Sequence, residues 1–557
     1  MEVGRSLDRV DAYDKVTGRA KYTDDLRGSG ALVAKILHST IANGVVKSMD
    51  LSEAQAIPGV VKVLTCFDVP DIQYPTPGHP WSVEEAHQDV SDRKLLNRRV
   101  RIYGDDIAVV VAEDELTAER ALRAIRVEYE EYPVYTTPEQ AMAPGAVPIH
   151  DEHPDNVLKH TLFNVLTPGA QVRDVDEVFA DPAYRVFEDH FDTQAVQHCH
   201  IENPVSFAWM EGERIVVVSS TQIPHIVRRV IGQALGIGWG SIRVIKPYIG
   251  GGFGNKQEVL YEPLNAWITT QVGGRKVKLE CTREETFQNT RSRHAIHFDV
   301  KAAVRPEDMR LMARSCRAVS NQGGYASHGH SIVANAVTGF RQTYPDELAH
   351  RSDAYTVYTN LGSTGAMRGY GIPQCNFAGE CFMDDIAREM GWDPLAFRLR
   401  NLMPLGYVDP TNGITCHSTG LAECIRKGAD FMDWEKLRAE YAKPQTGPVR
   451  RGIGMAVFSY KTGVWPISLE TASARVVLNQ DGTVQLQLGA TEIGQGGDTV
   501  FSQMCAQAIG IPTEDVHIVS FQDTDTAPFD TGAYASRQTY VTGKAINKAG
   551  ESFRARL

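Results

Sequence analysis

The chain has 557 residues, with 57 basic and 69 acidic side chains and a formal net charge of −12. Phosphate binding needs clustered Lys and Arg, and no long basic run is present, so the sequence argues against a nucleic-acid surface. We also predict no membrane span, because no run of about 18 apolar residues occurs. The nine Cys are scattered and contain no C-x-x-C pair. This favours the reducing cytoplasm and excludes the usual iron–sulfur spacings.

The first 135 residues alternate strand and helix patterns, which predicts an α/β domain over 1–135. The apolar run at 107–112 (IAVVVA) is typical of a buried strand. Asp114 is a good N-cap for a helix that ends near residue 125, and a strand follows at 127–129. The Pro-rich and Ala-rich stretch 132–155 lacks periodicity, so we predict a linker there.

A second region, 156–405, is predicted to contain a strand at 215–219, a helix at 224–235 and a strand at 242–245. Pro224 suits the first turn of that helix and Gly236 its end. A longer helix is predicted at 377–390. Mixed strand and helix patterns of this kind predict an α+β fold.

A third region, 420–557, carries strand patterns at 474–478 and 484–488 around the turn Asp481-Gly482. A helical pattern follows at 545–557 and reaches the last residue. We therefore expect the last domain to be incomplete.

Three glycine-bearing loops are candidate binding sites: residues 250–256, 368–371 and 492–497. Consecutive backbone N–H groups in such loops can approach a polar ligand closely. The first loop is neither of the two familiar phosphate motifs, because Asn255 replaces the last Gly of G-x-G-x-x-G and Gln257 follows the Lys. One such loop is more often a tight turn. Three of them, each beside a strand or helix, make a binding site the better interpretation.

Five segments resemble the molybdenum-binding large subunits of the xanthine dehydrogenase and aldehyde oxidase family. They are Thr221-Gln222 with IKPYIGGGFGNKQEVLYEP, then GAMRGYGIPQ, GATEIGQGGDT, ECFMDDIAREMGWDPLAFRLRNL and the opening RVDAYDKVTGRAKYTDDL. The resemblance covers nearly the whole chain in order. It implies an N-terminal hammerhead-like domain, followed by molybdopterin-binding α+β domains at 156–405 and 420–557.

The resemblance also implies a molybdopterin cofactor, with its cytosine dinucleotide as one of its forms. In the family the pterin sulfurs bind molybdenum and protein groups surround it. Carried over by motif, the cofactor-contacting residues are Gln222, Gly252, Phe253, Gly254, Arg368, Gln495, Ala535 and Ser536. Those facing the metal are Gln222, through its side chain, and Phe253, Arg368 and Ala535, through their backbones. Without the resemblance, Gln222 would be read as a cap of the helix at 224–235.

The substrate side departs from the family in one respect. Gln257 stands where animal xanthine dehydrogenases have Glu, with Glu258 next to it; Gln can hydrogen-bond a purine edge but cannot act as an anion. The resemblance places Tyr370 on one face of the substrate ring. Trp465 could form the opposite wall, with ordinary core packing as its alternative. The family's substrate-binding Arg has no match in register, and Arg341 is offset.

The implied activity is oxidative hydroxylation of a purine, hypoxanthine or xanthine, with water as oxygen source. Electrons would pass to an iron–sulfur subunit and an FAD-binding subunit. The family's general base, a Glu in a V-G-E-P-like segment, has no counterpart here. Two alternatives stay open: a hydroxylase of another N-heterocycle or an aldehyde, and an inactive fragment that lacks the base.

Two other patterns offer weaker alternatives. His198 and His200 alternate along the chain and Glu202 is near, so the three could bind a metal if they lay on one strand face. Cys416 and His417 could form a thiol nucleophile and its base. Adjacent residues on a loop seldom meet in that way.

Overall fold

The computed structural model describes residues 1–84, 88–464 and 470–557. Its strands are β1 Leu32–His38, β2 Gly44–Asp50, β3 Val60–Thr65, β4 Arg99–Val100, β5 Asp106–Ala112, β6 Arg126–Glu131, β7 Val157–Leu166, β8 Arg185–Thr193, β9 Val196–Gln197, β10 Val205–Glu211, β11 Arg214–Ser219, β12 Ile242–Lys246, β13 Val277–Glu280, β14 Ser292–Arg293, β15 Ala295–Arg305, β16 Arg310–Gly323, β17 Ala349–Tyr358, β18 Ala474–Leu478, β19 Val484–Leu488, β20 Val516–Ile518 and β21 Gln522–Asp523.

The α-helices are α1 Ala12–Val16, α2 Ser52–Gln55, α3 Glu115–Ala124, α4 Pro138–Ala141, α5 Val175–Ala180, α6 Pro224–Leu235, α7 Glu262–Gln271, α8 Arg283–Asn289, α9 His330–Gln342, α10 Ile372–Met390, α11 Pro394–Asn401, α12 Leu421–Phe431, α13 Trp434–Tyr441, α14 Gly497–Ile509 and α15 Gln538–Arg554. Within the residues the structure describes, none of these helices has the length and apolar character needed to cross a bilayer.

The largest sheet has eight strands in the order β21-β12-β11-β10-β13-β1-β5-β3. Strand β1 pairs in parallel with β13, with Leu32 opposite Val277. The sheet therefore joins strands from the predicted 1–135 domain to strands from 156–405. Strand β5 is buried along its whole length, and the amphipathic helix α6 packs its apolar side chains into the same core.

Four smaller sheets accompany it in the described residues, among them the three-stranded β4-β2-β6 and the two-stranded β14-β9. The other two pack against helices. One has the order β7-β17-β16-β15-β8, and its buried face packs against α9 and α10. Most of β15 alternates buried and half-buried residues, the pattern of a sheet with one covered face. The other, β18-β19-β20, packs against α14 and α15. Mixed sheets with helices on their faces agree with the predicted α+β fold.

Local sequence signals fix several elements at the predicted bounds. Helix α6 runs from Pro224 to Leu235, and Gly236 ends it in the left-handed region at φ 67°. Asp114 caps α3 by accepting a hydrogen bond from the Thr117 N–H. The predicted strands at 474–478 and 484–488 are β18 and β19.

Three predicted elements need correction. Helix α10 begins at Ile372, not 377, because Pro373 fits its first turn and Gly371 precedes it at φ 91°. The predicted linker contains the short helix α4, because Thr137 and Gln140 form a capping box. The helix predicted at 545–557 is α15, Gln538–Arg554.

Candidate functional site

Gln222 lies in the loop between β11 and α6 and is 2% exposed. Its Oε1 accepts from the Gly254 N–H at 3.0 Å, and its Nε2 donates to the Ala533 carbonyl at 2.8 Å. The Gln222 carbonyl accepts from the Thr491 hydroxyl at 2.9 Å. One residue thus joins the first glycine loop, Thr491 at the start of the third loop, and the segment 530–537. The capping alternative is wrong, since the structure shows no side-chain cap on α6.

The first glycine loop fits closely against these neighbours. A Cβ on Gly252 would lie 2.4 Å from Gln222 Oε1, and one on Gly254 would lie 2.4 Å from the Ala366 carbonyl oxygen. Gly254 also has φ 115°, which an L side chain rarely adopts. Phe253, between these two glycines, has φ 54° and is 45% exposed. Only glycine at 252 and 254 permits this loop to close on Gln222.

Side chains beneath the first loop hold its backbone. The Glu202 carboxylate accepts from Lys256 Nζ at 2.6 Å and from the Gly250 N–H at 2.9 Å. Asn255 Nδ2 donates to His200 Nε2 at 2.8 Å. Burial lowers the pKa of His200 to about 3, so the imidazole is neutral and can accept this bond.

His198 and His200 therefore support loops. His198 Nε2 lies 2.7 Å from the Ala366 carbonyl oxygen. Cys199 between them has φ 55°, so the two histidines do not alternate on one strand face. Throughout the described part of the chain, no three His, Cys, Asp or Glu side chains are placed to hold a metal ion.

The second glycine loop is joined to the first through backbone. The Arg368 N–H donates to the Phe253 carbonyl at 2.9 Å, and the Arg368 carbonyl accepts from Arg293 at 2.7 Å. The Arg368 side chain is exposed. A backbone hydrogen bond therefore joins Phe253 and Arg368, two of the residues predicted to face the metal through their backbones.

The third glycine loop surrounds a carboxylate of its own. Glu492 is 2% exposed and accepts from the N–H groups of Gly494 at 2.7 Å, Gly496 at 3.2 Å and Asp498 at 3.1 Å. The anion nest of this loop is thus filled from within. Gln495, one of the residues predicted to contact the cofactor, donates to the Thr491 carbonyl at 3.0 Å and accepts from the Ile493 N–H at 2.7 Å.

The segment 530–537 is the last of the segments that meet at Gln222. Arg537 is buried and pairs at 2.6 Å with both Asp530 and Glu470. Ala535 and Ser536 have φ 50° and 52°. Nine non-glycine residues of the described chain have positive φ, and four of them are the predicted site residues Phe253, Tyr370, Ala535 and Ser536. Strained backbone of this kind persists where surrounding structure enforces it, and it clusters at functional sites.

On the predicted substrate side, Gln257 is 6% exposed and packs against Gly78, where a Cβ would meet the Gln257 carbonyl oxygen at 2.6 Å. The neighbouring Glu258 forms a buried ion pair with Arg291 at 2.7 Å, and this pair has a structural role. Arg341 pairs with Asp409 at 3.2 Å. Trp465 lies outside the described residues.

Sequence reasoning missed two residues beside Tyr370. The Tyr370 hydroxyl lies 2.9 Å from His328 Nδ1 and 3.2 Å from His79 Nε2. His79 comes from the segment between β3 and β4, and His328 immediately precedes the residue that caps α9. His79 and His328 are 249 positions apart, so the sequence carries no local signal for this meeting.

Three family models match the chain: the a/b hammerhead domain of aldehyde oxidase and xanthine dehydrogenase over 17–133, and two molybdopterin cofactor-binding domains over 149–402 and 427–557. The chain is 50% identical over 542 residues to the putative xanthine dehydrogenase molybdenum-binding subunit XdhA of Escherichia coli (strain K12), which covers 97% of this chain and 70% of that protein.

Two other similarities extend this result. The chain is 33% identical to the probable hypoxanthine oxidase XdhD of the same organism, over 100% of this chain and 60% of that protein. The solved aldehyde oxidoreductase from Desulfovibrio gigas has a TM-score of 0.88 at 27% identity, over 99% of this chain and 59% of that one. The chain thus spans 59% to 70% of the length of these three proteins. The predicted fold of a hammerhead domain followed by molybdopterin-binding domains is confirmed, and the chain belongs to the xanthine dehydrogenase and aldehyde oxidase family of molybdenum-binding subunits.

Proposed function

We propose that this chain is the molybdopterin-binding part of an enzyme that hydroxylates a purine, hypoxanthine or xanthine, with oxygen from water. The observation that carries the proposal is the convergence on Gln222 of residues 254, 491 and 533, from three separate segments. When bound, a molybdopterin cofactor supplies the two-electron oxidation chemistry. The chain contributes binding, orientation and exclusion of water.

The donor set fits such a cofactor. Glycines at 252, 254 and 532 leave no room for a Cβ, so backbone lines the convergence. Neutral amide and backbone donors held rigidly can stabilise a polar oxygen without adding charge. The groups that would hold the cofactor are Gln222, Gly252, Phe253, Gly254, Arg368, Gln495, Ala535 and Ser536. The cytosine dinucleotide form of the pterin is part of this proposal.

On the substrate side, Gln257 would hydrogen-bond the purine edge and Tyr370 would cover one face of the ring. The names of two relatives, a xanthine dehydrogenase subunit and a hypoxanthine oxidase, support a purine. An aldehyde or another N-heterocycle is the second candidate. Gln257 in place of Glu and the likeness to an aldehyde oxidoreductase favour it.

Electron transfer would need partner subunits. The chain has no C-x-x-C pair, and its nine cysteines are free thiols spread over both core and surface. We propose an iron–sulfur subunit and an FAD-binding subunit as partners. A reducing cytoplasm suits the unpaired thiols.

Metal and pterin analysis of the purified protein tests the cofactor part of the proposal. We expect molybdenum and, after oxidation, pterin fluorescence. Gly254→Ala should remove most of both, whereas Gly240→Ala should not, because a Cβ at 240 meets nothing within 4 Å. A protein that carries neither molybdenum nor pterin would refute the proposal. Steady-state assays with xanthine, hypoxanthine, nicotinate and benzaldehyde then decide between the substrate classes.

A further inference from the structure

Three aromatic side chains from distant segments meet at the predicted substrate wall. His79 Nε2 and His328 Nδ1 lie 3.1 Å apart, and both lie within 3.2 Å of the Tyr370 hydroxyl. His79 Nδ1 lies 2.5 Å from the Asp89 carboxylate. Gly78, the residue before His79, packs on Gln257. The cluster therefore contacts Tyr370 directly and is connected through Gly78 to Gln257, the two residues to which the proposed function gives the substrate.

The partners fix where the protons lie. Asp89 is an acceptor, so His79 Nδ1 carries a hydrogen. Burial alone would lower the pKa of His79, but the Asp89 charge raises it, which favours the form of His79 that carries a hydrogen on Nε2 as well. Burial holds the pKa of the Tyr370 hydroxyl well above its ordinary value, which keeps it a donor as well.

Both His79 Nε2 and the Tyr370 hydroxyl lie within hydrogen-bond distance of the same nitrogen of His328, Nδ1. Burial, and then the neighbouring His79, hold the pKa of His328 well below its ordinary value, so its ring is neutral. We assign its Nδ1 as the acceptor of the Tyr370 hydroxyl at 2.9 Å, which places its single hydrogen on Nε2. His328 is 2% exposed, and across residues 1–84, 88–464 and 470–557 its Nε2 has no hydrogen-bond partner.

A buried donor without an acceptor is rare in native proteins and costs free energy, so it calls for a missing partner. We propose that the Nε2–H of His328 donates to an acceptor atom of the bound substrate, the oxo oxygen of a heterocycle such as hypoxanthine. His79, backed by Asp89, is a positioning residue that fixes the His328 tautomer through Nδ1. This inference rests on the proposed function and deepens it, because it names His328 as a specificity contact and His79, from the predicted N-terminal domain, as the residue that positions it.

Equilibrium binding to the purified full chain with its cofactor tests this contact. The two ligands are hypoxanthine and unsubstituted purine, which lacks the oxo oxygen. We expect His328→Phe to weaken hypoxanthine binding about five- to tenfold, the value of one hydrogen bond, and purine binding by less than about twofold. His328→Gln keeps a donor and should restore most of the affinity. His79→Gln should weaken hypoxanthine binding about two- to threefold, with purine unchanged.

His330→Gln is the matched control, because both nitrogens of His330 already have partners, Thr161 at 2.6 Å and Thr356 at 3.0 Å. It should leave both affinities unchanged. If Phe at 328 does not fold, His328→Asn replaces it, because its amide is too short to reach the ligand. Equal affinities of wild type and His328→Phe for hypoxanthine would overturn the inference and leave the proposed function intact. Failure of the molybdenum-loaded wild type to bind either ligand would overturn the purine proposal and the inference with it.

Discussion

Gln222→Met tests whether one amide joins the loops of the site. The substitution keeps the length of the side chain and removes both polar atoms. The buried Gly254 N–H then loses its acceptor at 3.0 Å, and the buried Ala533 carbonyl loses its donor at 2.8 Å. Each unsatisfied group costs about 1–3 kcal/mol, so the pair costs about 2–6 kcal/mol. Since about 1.4 kcal/mol corresponds to a factor of ten, local opening should become at least ~30-fold more frequent.

Hydrogen–deuterium exchange read by mass spectrometry measures this opening directly. Peptides covering 250–256 and 530–537 should exchange faster in Gln222→Met, with little change elsewhere. Gln487→Met is the matched control. The Gln487 amide also makes two side-chain bonds, to Arg475 at 3.1 Å and Gln485 at 2.9 Å, but on a half-buried strand surface. If exchange in the two peptides were no faster in Gln222→Met than in Gln487→Met, the role assigned to Gln222 would be wrong.

Three further predictions concern buried charges. Lys256→Met should cost about 3–5 kcal/mol in chemical denaturation, because Glu202, whose side chain is only 12% exposed, loses its ammonium partner. Adding Glu202→Gln should restore part of the loss, and additive effects of the two changes would contradict the pairing. Burial would lower the pKa of His38, but Asp106 and Glu285 raise it to about 9, so the urea midpoint should fall as pH rises from about 6.5 to 9. His38→Gln should flatten that fall, and an unchanged slope would refute the assignment. Glu492→Gln removes the negative charge that accepts from three N–H groups of the third loop, so amides 493–498 should exchange faster; unchanged exchange would contradict this role of the charge.

The sequence predicted those parts of the fold that local chemistry determines. Pro224 at the start and Gly236 at the end of α6 fixed that helix, because each residue has a conformation few others adopt. The turn at Gly482, with φ 88°, located β18 and β19 equally well. The predicted start of α10 was wrong. The glycines on both sides of Tyr370 indicate a loop, whereas Pro373 fits the first turn of a helix that begins at Ile372.

The sequence predicted the loops of the site but not the contacts between residues far apart in the chain. Motifs located the glycine loops, but their spacing could not show that Glu492 fills the third one. His79 and Tyr370 are separated by 291 positions, and His79 and His328 by 249. Contacts of this kind depend on how sheets and helices pack, which single-residue patterns do not encode.

The pairing of β1 with β13 has a consequence for synthesis on the ribosome. Leu32 cannot pair until its partner Val277 has been synthesised, 245 residues later. At ~5–20 residues per second this delay lasts about 12–50 s. During that time one edge of β1 has unpaired backbone groups, the kind of edge that nucleates aggregation. The nascent chain is therefore expected to need a chaperone until residue 280 has left the exit tunnel.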